Sequence, residues 1–327
     1  MMKNLLVGAA ALFLLLGCES TPNNQIAAFG HSTGQIVSQV DVLLDEFNNA
    51  TLERGFTSLA ANYKGQFAEK FNQQLLAQLA KPLDANAQQQ LAIYRLNRSL
   101  GEYALALSAL ADARASVDID AASANLFGAL KSFNAQYKTI KRTDDNLFES
   151  NKLITIQSAI AAIGSEVVEA KRRAALKRII VAARPNIDTI CDAIINQLSH
   201  AGIEDGISMS REFILNQKIA EYRLLSAKKS SKLKWRIAEV KRLWQLQQAL
   251  FHSKLLVQQS IKAIKEVKSA HQILADEVSQ EIYASAAISH AIGRMQYINK
   301  HFNDFEQFLL NCQHTATNSN GVLSCED

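Results

Sequence analysis

Ile26, Phe29, Thr33, Ile36, Val40, Leu43, Phe47 and Ala50 follow one another in alternating steps of three and four residues, with Thr33 as the one polar step. That spacing lines them up along one side of a helix, as in a coiled-coil seam about three heptads long. The pattern shifts phase near Gly55 and resumes through Phe56, Tyr63, Phe67, Phe71 and Leu75. Lys81-Pro82-Leu83-Asp84 ends it, and Asn86 with Gln89 reads as the capped start of another helix, rich in Ala and Leu, over 86–115. Gly101 is a candidate break in that helix. "SVDID" at 116–120 is a second break, a helix over about 120–140 follows, and "KRTDDN" at 141–146 is a loop before a cap-like Asn146-x-x-Glu149.

The second half has longer periodic stretches. Only Gly164 and Pro185 interrupt 147–200, and Pro185 is expected to kink or split the helix, because it lacks an N–H and crowds the preceding turn. "AGIEDGIS" at 201–208 is a clear turn, and helical spacing then continues to about residue 310 with Gly293 inside it and "KKSSK" at 228–232 as its softest place. A hundred unbroken helical residues would be about 150 Å long, so one or two further breaks are expected at places the pattern does not mark. The two stretches should fold back on each other at 201–208 as a long antiparallel hairpin.

Breakers are scarce throughout: Pro22, Pro82 and Pro185 are the three prolines, and there are 13 glycines in 327 residues. With 48% hydrophobic and 20% charged residues the chain reads as folded and not disordered. The expected fold is all-α: an elongated helical bundle with coiled-coil-like long helices and a long C-terminal hairpin.

Charge refines this picture. The formal total is only +4, but it is unevenly placed. Lys171, Arg172, Arg173, Lys177 and Arg178 form one cluster without a counter-charge. Lys228, Lys229, Lys232, Lys234, Arg236, Lys241 and Arg242 form another around Glu239. With the tip at 201–208, both clusters would lie at one level, roughly 45 Å from it. At 100° per residue, Trp235 faces away from Ile237, Val240 and Trp244 and shares a stripe with Lys228, Lys232 and Arg242, which assigns Trp244 to the core. Two readings stand. Either these are solvated faces with Trp235 covered by a neighbouring helix, or the two clusters with Trp235 make a belt for lipid head groups, lipopolysaccharide or an acidic protein partner. Nucleic acid is not expected, since aromatic residues are not repeatedly interleaved with the basic ones.

Catalytic signatures are sought without success. No histidine has a second histidine four residues away or a Glu three residues before it, and Cys-x-x-Cys, GxSxG and GxxxxGK[ST] do not occur. The chain is therefore expected to be no enzyme and to need no cofactor or metal. "LITIQSAIAAIGS" at 153–165 carries no charge. It suits close packing in a bundle core, or a membrane-seeking segment like those of helical pore-forming toxins, although it is too short to span a bilayer. Cys191 shares a helical row with Ile187, Ile190, Ile194, Ile195 and Leu198 and reads as an inert packed thiol. Cys312 and Cys325 flank a polar stretch containing the turn signal Asn320-Gly321 and are spaced to close a tail loop in an oxidising compartment.

The N-terminus carries the one family resemblance. "LLVGAAALFLLL" at 5–16 is uncharged and, as a helix, only about 18 Å long against a bilayer core of about 30 Å, which fits a secretory signal. It ends in Leu15-Leu16-Gly17-Cys18, which resembles the lipobox of bacterial lipoproteins, with Leu16 a less common residue for its slot. The resemblance covers residues 1–18 alone. It implies that the Cys18 thiol takes a diacylglycerol and that cleavage leaves the acylated Cys18 as the first residue. Glu19, where an Asp would favour inner-membrane retention, implies outer-membrane sorting. The expected plan is a signal peptide at 1–17, a polar tether at 18–25, an N-terminal helical region at 26–142, the hairpin at 143–310 and a tail loop at 311–327. The expected role is that of a lipid-anchored structural or interaction protein of the envelope, facing the periplasm, with oligomerisation through helical seams open to it. A membrane-active helical protein, toxin-like or lipid-remodelling, is the alternative.

Overall fold

The computed structural model describes residues 22–79, 85–163, 169–199, 202–228, 232–281, 285–311, 315–319 and 322–326. Residues 18–21, Lys229 and Cys312 lie outside the described residues, so the expectations placed on them stay as expectations; the rest of the expected tether, 22–25, is instead the first turn of a helix, with Asn23 and Gln25 buried in the bundle. Among the described residues the chain folds as an all-α bundle of nine α-helices: α1 (Pro22–Asn62), α2 (Gln73–Leu79), α3 (Ala85–Asp112), α4 (Ser116–Lys141), α5 (Ser150–Ala161), α6 (Glu169–Ser199), α7 (Ile203–Ser226), α8 (Leu233–Ser279) and α9 (Ala286–Asn311). A 3-10 turn at Gly65–Lys70 links α1 to α2. At about 1.5 Å per residue α1 is about 60 Å long and α8 about 70 Å.

The seam that opens the sequence is the axis of the fold. Ile26, Phe29, Thr33, Ile36, Val40, Leu43, Phe47 and Ala50 are all buried, covered by α3, α7, α8 and α9, each of which packs on α1. Helix α3 runs antiparallel to α1, as the Asn97 bond to the Val37 carbonyl and the Asn48–Tyr94 bond record, each 2.9 Å. It stays continuous through Gly101, where an added Cβ would meet Val37 Cγ1 at 3.1 Å, so this glycine marks a close helix crossing and not a break. One core cluster takes in side chains from every helix except α2, so regions 26–142 and 143–310 share a single interior.

Several local expectations are corrected. "SVDID" begins α4 instead of breaking the chain: the Asp118 carboxylate accepts the Ala115 N–H at 3.1 Å, capping the first turn. Pro185 lies inside α6 without splitting it. The 56–75 pattern does not extend the buried seam: Phe56, Phe67 and Phe71 are exposed, and the chain there passes from α1 through the 3-10 turn to α2. The tail carries a short antiparallel ladder, β1 (Thr315–Ser319) on β2 (Val322–Glu326), with Ser319 opposite Val322 across Asn320-Gly321 and Cys325 opposite Ala316.

The largest correction concerns the hairpin. Its fold-back is not at 201–208, where Gly202, at φ 118°, caps a helix that starts at Ile203. Helices α6 and α7 touch each other little. Helix α8 runs antiparallel to both in turn. Tyr222 stacks on Trp235 and Lys254 pairs with Glu212 along α7; then Lys268 pairs with Asp192 and Arg184 with Asp276 along α6. One arm of the hairpin is therefore α6 followed by α7, the other is α8, and the reversal falls at 227–232. That interval holds the soft "KKSSK", which has no apolar side chain to bury and whose serines compete with a helix for backbone hydrogen bonds.

Candidate functional site

Moving the tip separates the two basic clusters. Lys177 pairs with Glu281 at 2.9 Å, a level about 60 Å along the helix from Arg242. Three cations of the first cluster, Arg172, Arg173 and Lys177, are paired with carboxylates. Arg172 is buried, donates to the Ala113 carbonyl and pairs with Glu169. Arg173 also reaches Glu169, at 3.7 Å. Lys171 and Arg178 are exposed. The second cluster sits at the tip, where Lys228, Lys232, Lys234 and Arg242 are exposed and Arg242 pairs with its helical neighbour Glu239 at 3.0 Å. The two clusters form no continuous belt.

Trp235 and its neighbours also change places. The Trp235 ring is half-buried against Tyr222 of α7, with 6.0 Å between centroids and 16° between planes. Of the row assigned to the core, Ile237 is 49% exposed, Val240 50% and Trp244 half-buried, and Leu233, at 63%, and Phe251 continue the same line on the surface. The reason lies further along α8. Leu250, Ser253, Val257, Ser260, Ile264, Val267, His271, Leu274 and Val278 also step by three and four, and all are buried. Extended backwards, that seam reaches Leu246 and Leu243. Helix α8 thus carries two apolar seams at its N-terminal end, roughly 100° apart at about 100° per residue, and continuity with the core selects the second.

The tip belongs to an arm that projects past the core. No described side chain is buried in 51–79, 216–228 or 233–249. Along α1 and α7, Phe56, Ala60, Leu224 and Leu225 line an open groove of about 530 Å³, with Lys64 and Lys218 on its lining. At the base of the arm, Arg211 clasps α7 to α1 through three bonds of 2.9–3.0 Å to Glu46 and a further pair with Glu53, while Ser253 of α8 donates to Glu46 at 2.9 Å. A second hollow, of about 500 Å³, holds Asp41, Asp45, Tyr94, Arg95 and Arg98. In it the Tyr94 hydroxyl donates to Asp45 at 2.8 Å and accepts from Asn48 at 2.9 Å. Burial raises the Asp41 carboxyl above its ordinary range although it accepts a bond from Asn97.

The remaining candidates sit in or on the bundle. Ile156, Ala159 and Ile163 of the uncharged 153–165 segment are buried, with α5 lying against α6, while Ile154 is exposed. Cys191 is a free, buried thiol, pushed up by burial and by Asp188. Among the described residues no helix is long and apolar enough to cross a membrane, and no group of three His, Cys, Asp or Glu side chains is placed to hold a metal ion. The chain matches no known family model, no characterised protein and no solved structure. Its functional reading therefore rests on its own chemistry.

Sequence reasoning missed Leu233, Ile237, Val240 and Phe251 as surface residues. The signal was available: where a helix carries two apolar rows, one of them must face something outside the core.

Proposed function

We propose that this chain is a lipid-anchored helical interaction protein of the bacterial envelope, tied to the outer membrane through Cys18 and facing the periplasm. The observation that carries the reading is the arm: exposed apolar side chains beside a run of lysines and arginines that holds a single carboxylate, Glu239, at the end of α1 away from Pro22. Apolar patches on a basic field mark contact surfaces, because water solvates the first poorly and an anionic or acidic partner relieves the second. Phe29 meets His271 and Glu46 meets Ser253, so α8 runs antiparallel to α1 nearly residue for residue. The exposed row of α8 then lies roughly 35–65 Å from the start of α1. Such a layout suits an adaptor with its attachment at one end and its contact at the other.

Two measurements test this. Cys18→Ala should abolish fatty-acid labelling and release the protein from membranes; persistent labelling refutes the anchor. Reversing charge at Lys232, Lys234 and Arg242 should abolish in-cell cross-linking from probes placed along the arm. Unchanged cross-linking counts against the arm as the contact surface.

A further inference from the structure

The outward row of α8 has the geometry of half a coiled coil. Leu233, Ile237, Val240, Trp244, Gln247 and Phe251 follow steps of four, three, four, three and four, with Gln247 the one polar step. On a helical wheel the apolar members of the row span roughly 60°, and about 80° with Gln247, narrower than the apolar face of about 100° or more that a globular core or a bilayer surface selects. A strip this narrow at a 3.5-residue repeat is shaped for the knobs of one neighbouring helix.

The charges beside the row say which helix. If Ile237, Trp244 and Phe251 take the a positions and Leu233, Val240 and Gln247 the d positions, then Lys234, Lys241 and Gln248 fall at e and Arg236 at the first g. Lys234 and Lys241 are exposed and Arg236 is half-exposed. The remaining g positions, Leu243 and Leu250, turn towards the bundle, with Leu250 buried. Every charge flanking the row is positive. A second copy of this helix would set lysine against lysine, whereas a helix with carboxylates at its own e and g positions would pair with them.

We propose that residues 233–251 of α8 dock an amphipathic helix of a partner protein whose apolar 3-4 repeat is flanked by Glu or Asp. This deepens the reading of the arm as the contact surface and rests on it. The docked length is about 27 Å, close to three heptads. The partner helix would complete a seam that the chain leaves open.

The test uses the full chain in detergent micelles and two synthetic three-heptad peptides, both with Leu at a and d, one with Glu and the other with Lys at e and g. Binding is followed by fluorescence anisotropy. The Glu-flanked peptide should bind at least tenfold more tightly than the Lys-flanked one, and more weakly as salt rises. Ile237→Ser with Val240→Ser, both at exposed positions, should weaken it at least tenfold with an unchanged circular dichroism spectrum. Lys234→Glu with Lys241→Glu should invert the preference. Equal binding of the two peptides, binding indifferent to the serine pair, or no binding of either overturns the proposal. So does binding to phosphatidylglycerol vesicles or concentration-dependent dimerisation that the serine pair abolishes while peptide binding is absent. Cross-linking from the arm that survives a failed peptide test leaves the contact surface standing and removes only the helical partner. Loss of both removes both.

Discussion

Acidification from pH 7 to pH 5 should cost this protein stability through one buried side chain, His271. The imidazole is fully buried. It lies 5.7 Å from both the Phe29 and Tyr103 rings, and its Nε2 shares a 2.9 Å hydrogen bond with the Tyr103 hydroxyl. Nδ1 has no partner. Burial, assisted by the Arg184 cation, pushes its pKa down from 6.5 to about 3. At pH 7 the ring is neutral whether the chain is folded or not, so this group costs nothing. Below pH 6.5 the unfolded chain takes up a proton that the folded chain refuses, and stability falls as pH falls until the folded ring also titrates near pH 3. The slope is about 1.4 kcal/mol per pH unit, giving a loss of about 2 kcal/mol by pH 5 and about 4 kcal/mol by pH 3.

The assay compares urea unfolding of the native chain and of His271→Gln at pH 7, 6 and 5. Glutamine does not titrate, and the groups common to both chains, including the half-buried His252 whose pKa burial also lowers, cancel in the comparison. Whatever His271→Gln costs at pH 7, its stability should drop about 2 kcal/mol less than that of the native chain between pH 7 and pH 5. Parallel pH profiles for the two chains would refute the assignment of a neutral, desolvated imidazole.

Other expectations follow from single contacts. Gly30→Ala would place a Cβ 2.4 Å from the Ala104 carbonyl oxygen and 2.6 Å from Ser108 Cβ, so it should lower stability by about 1–3 kcal/mol in chemical denaturation. Gly128→Ala on exposed α4, where nothing lies within 4 Å, should raise it by about 1 kcal/mol. Arg211→Met should cost about 2 kcal/mol by leaving Glu46 without its bidentate partner, and adding Glu46→Gln should recover part of that in a double-mutant cycle. Cys191, buried and with its thiol pushed up, should resist a thiol reagent in the folded chain and react within the dead time once urea unfolds it.

The sequence displayed the axis of the bundle because the row on α1 holds its spacing for three heptads, and every residue of that row is buried, with Val37 and Leu44 buried beside it. It also marked the tip, since "KKSSK" has no apolar face. It misled wherever two outcomes shared one pattern. Helix α8 has two seams at its N-terminal end, and choosing between them needs the long-range knowledge that α7 and α6 both lie on the Leu250–Val278 side. Placing the hairpin tip at 201–208 was a matching error: a glycine-rich turn can reverse a chain or merely join two helices, and only the pairing of α8 with both arms distinguishes them. The first basic cluster looked like a surface because charge runs usually are, yet Arg172 turns inward to satisfy the Ala113 carbonyl at the end of α3. Local spacing carries no trace of that contact.

A helix that runs on for five turns beyond its last buried side chain is held mainly by continuity with the part that is packed, because extending a helix is far easier than starting one. The first turns of α8 are in that position, from Leu233 to Ala249, and α7 packs against α8 without burying them, Tyr222 stacking on Trp235. Fully burying a Val, Leu or Ile side chain is worth about 1.5–3 kcal/mol. Leu233, Ile237 and Val240, each about half exposed or more, therefore leave a few kcal/mol unrealised, and a docking helix would recover it while ordering the arm. The lysines that flank the row keep two arms from recovering it from each other, since bringing Lys234 and Lys241 against their copies would place like charges side by side in a contact that excludes water. An apolar seam that is open in the single chain and closed to self-association is the arrangement expected of a surface kept for a partner of opposite charge.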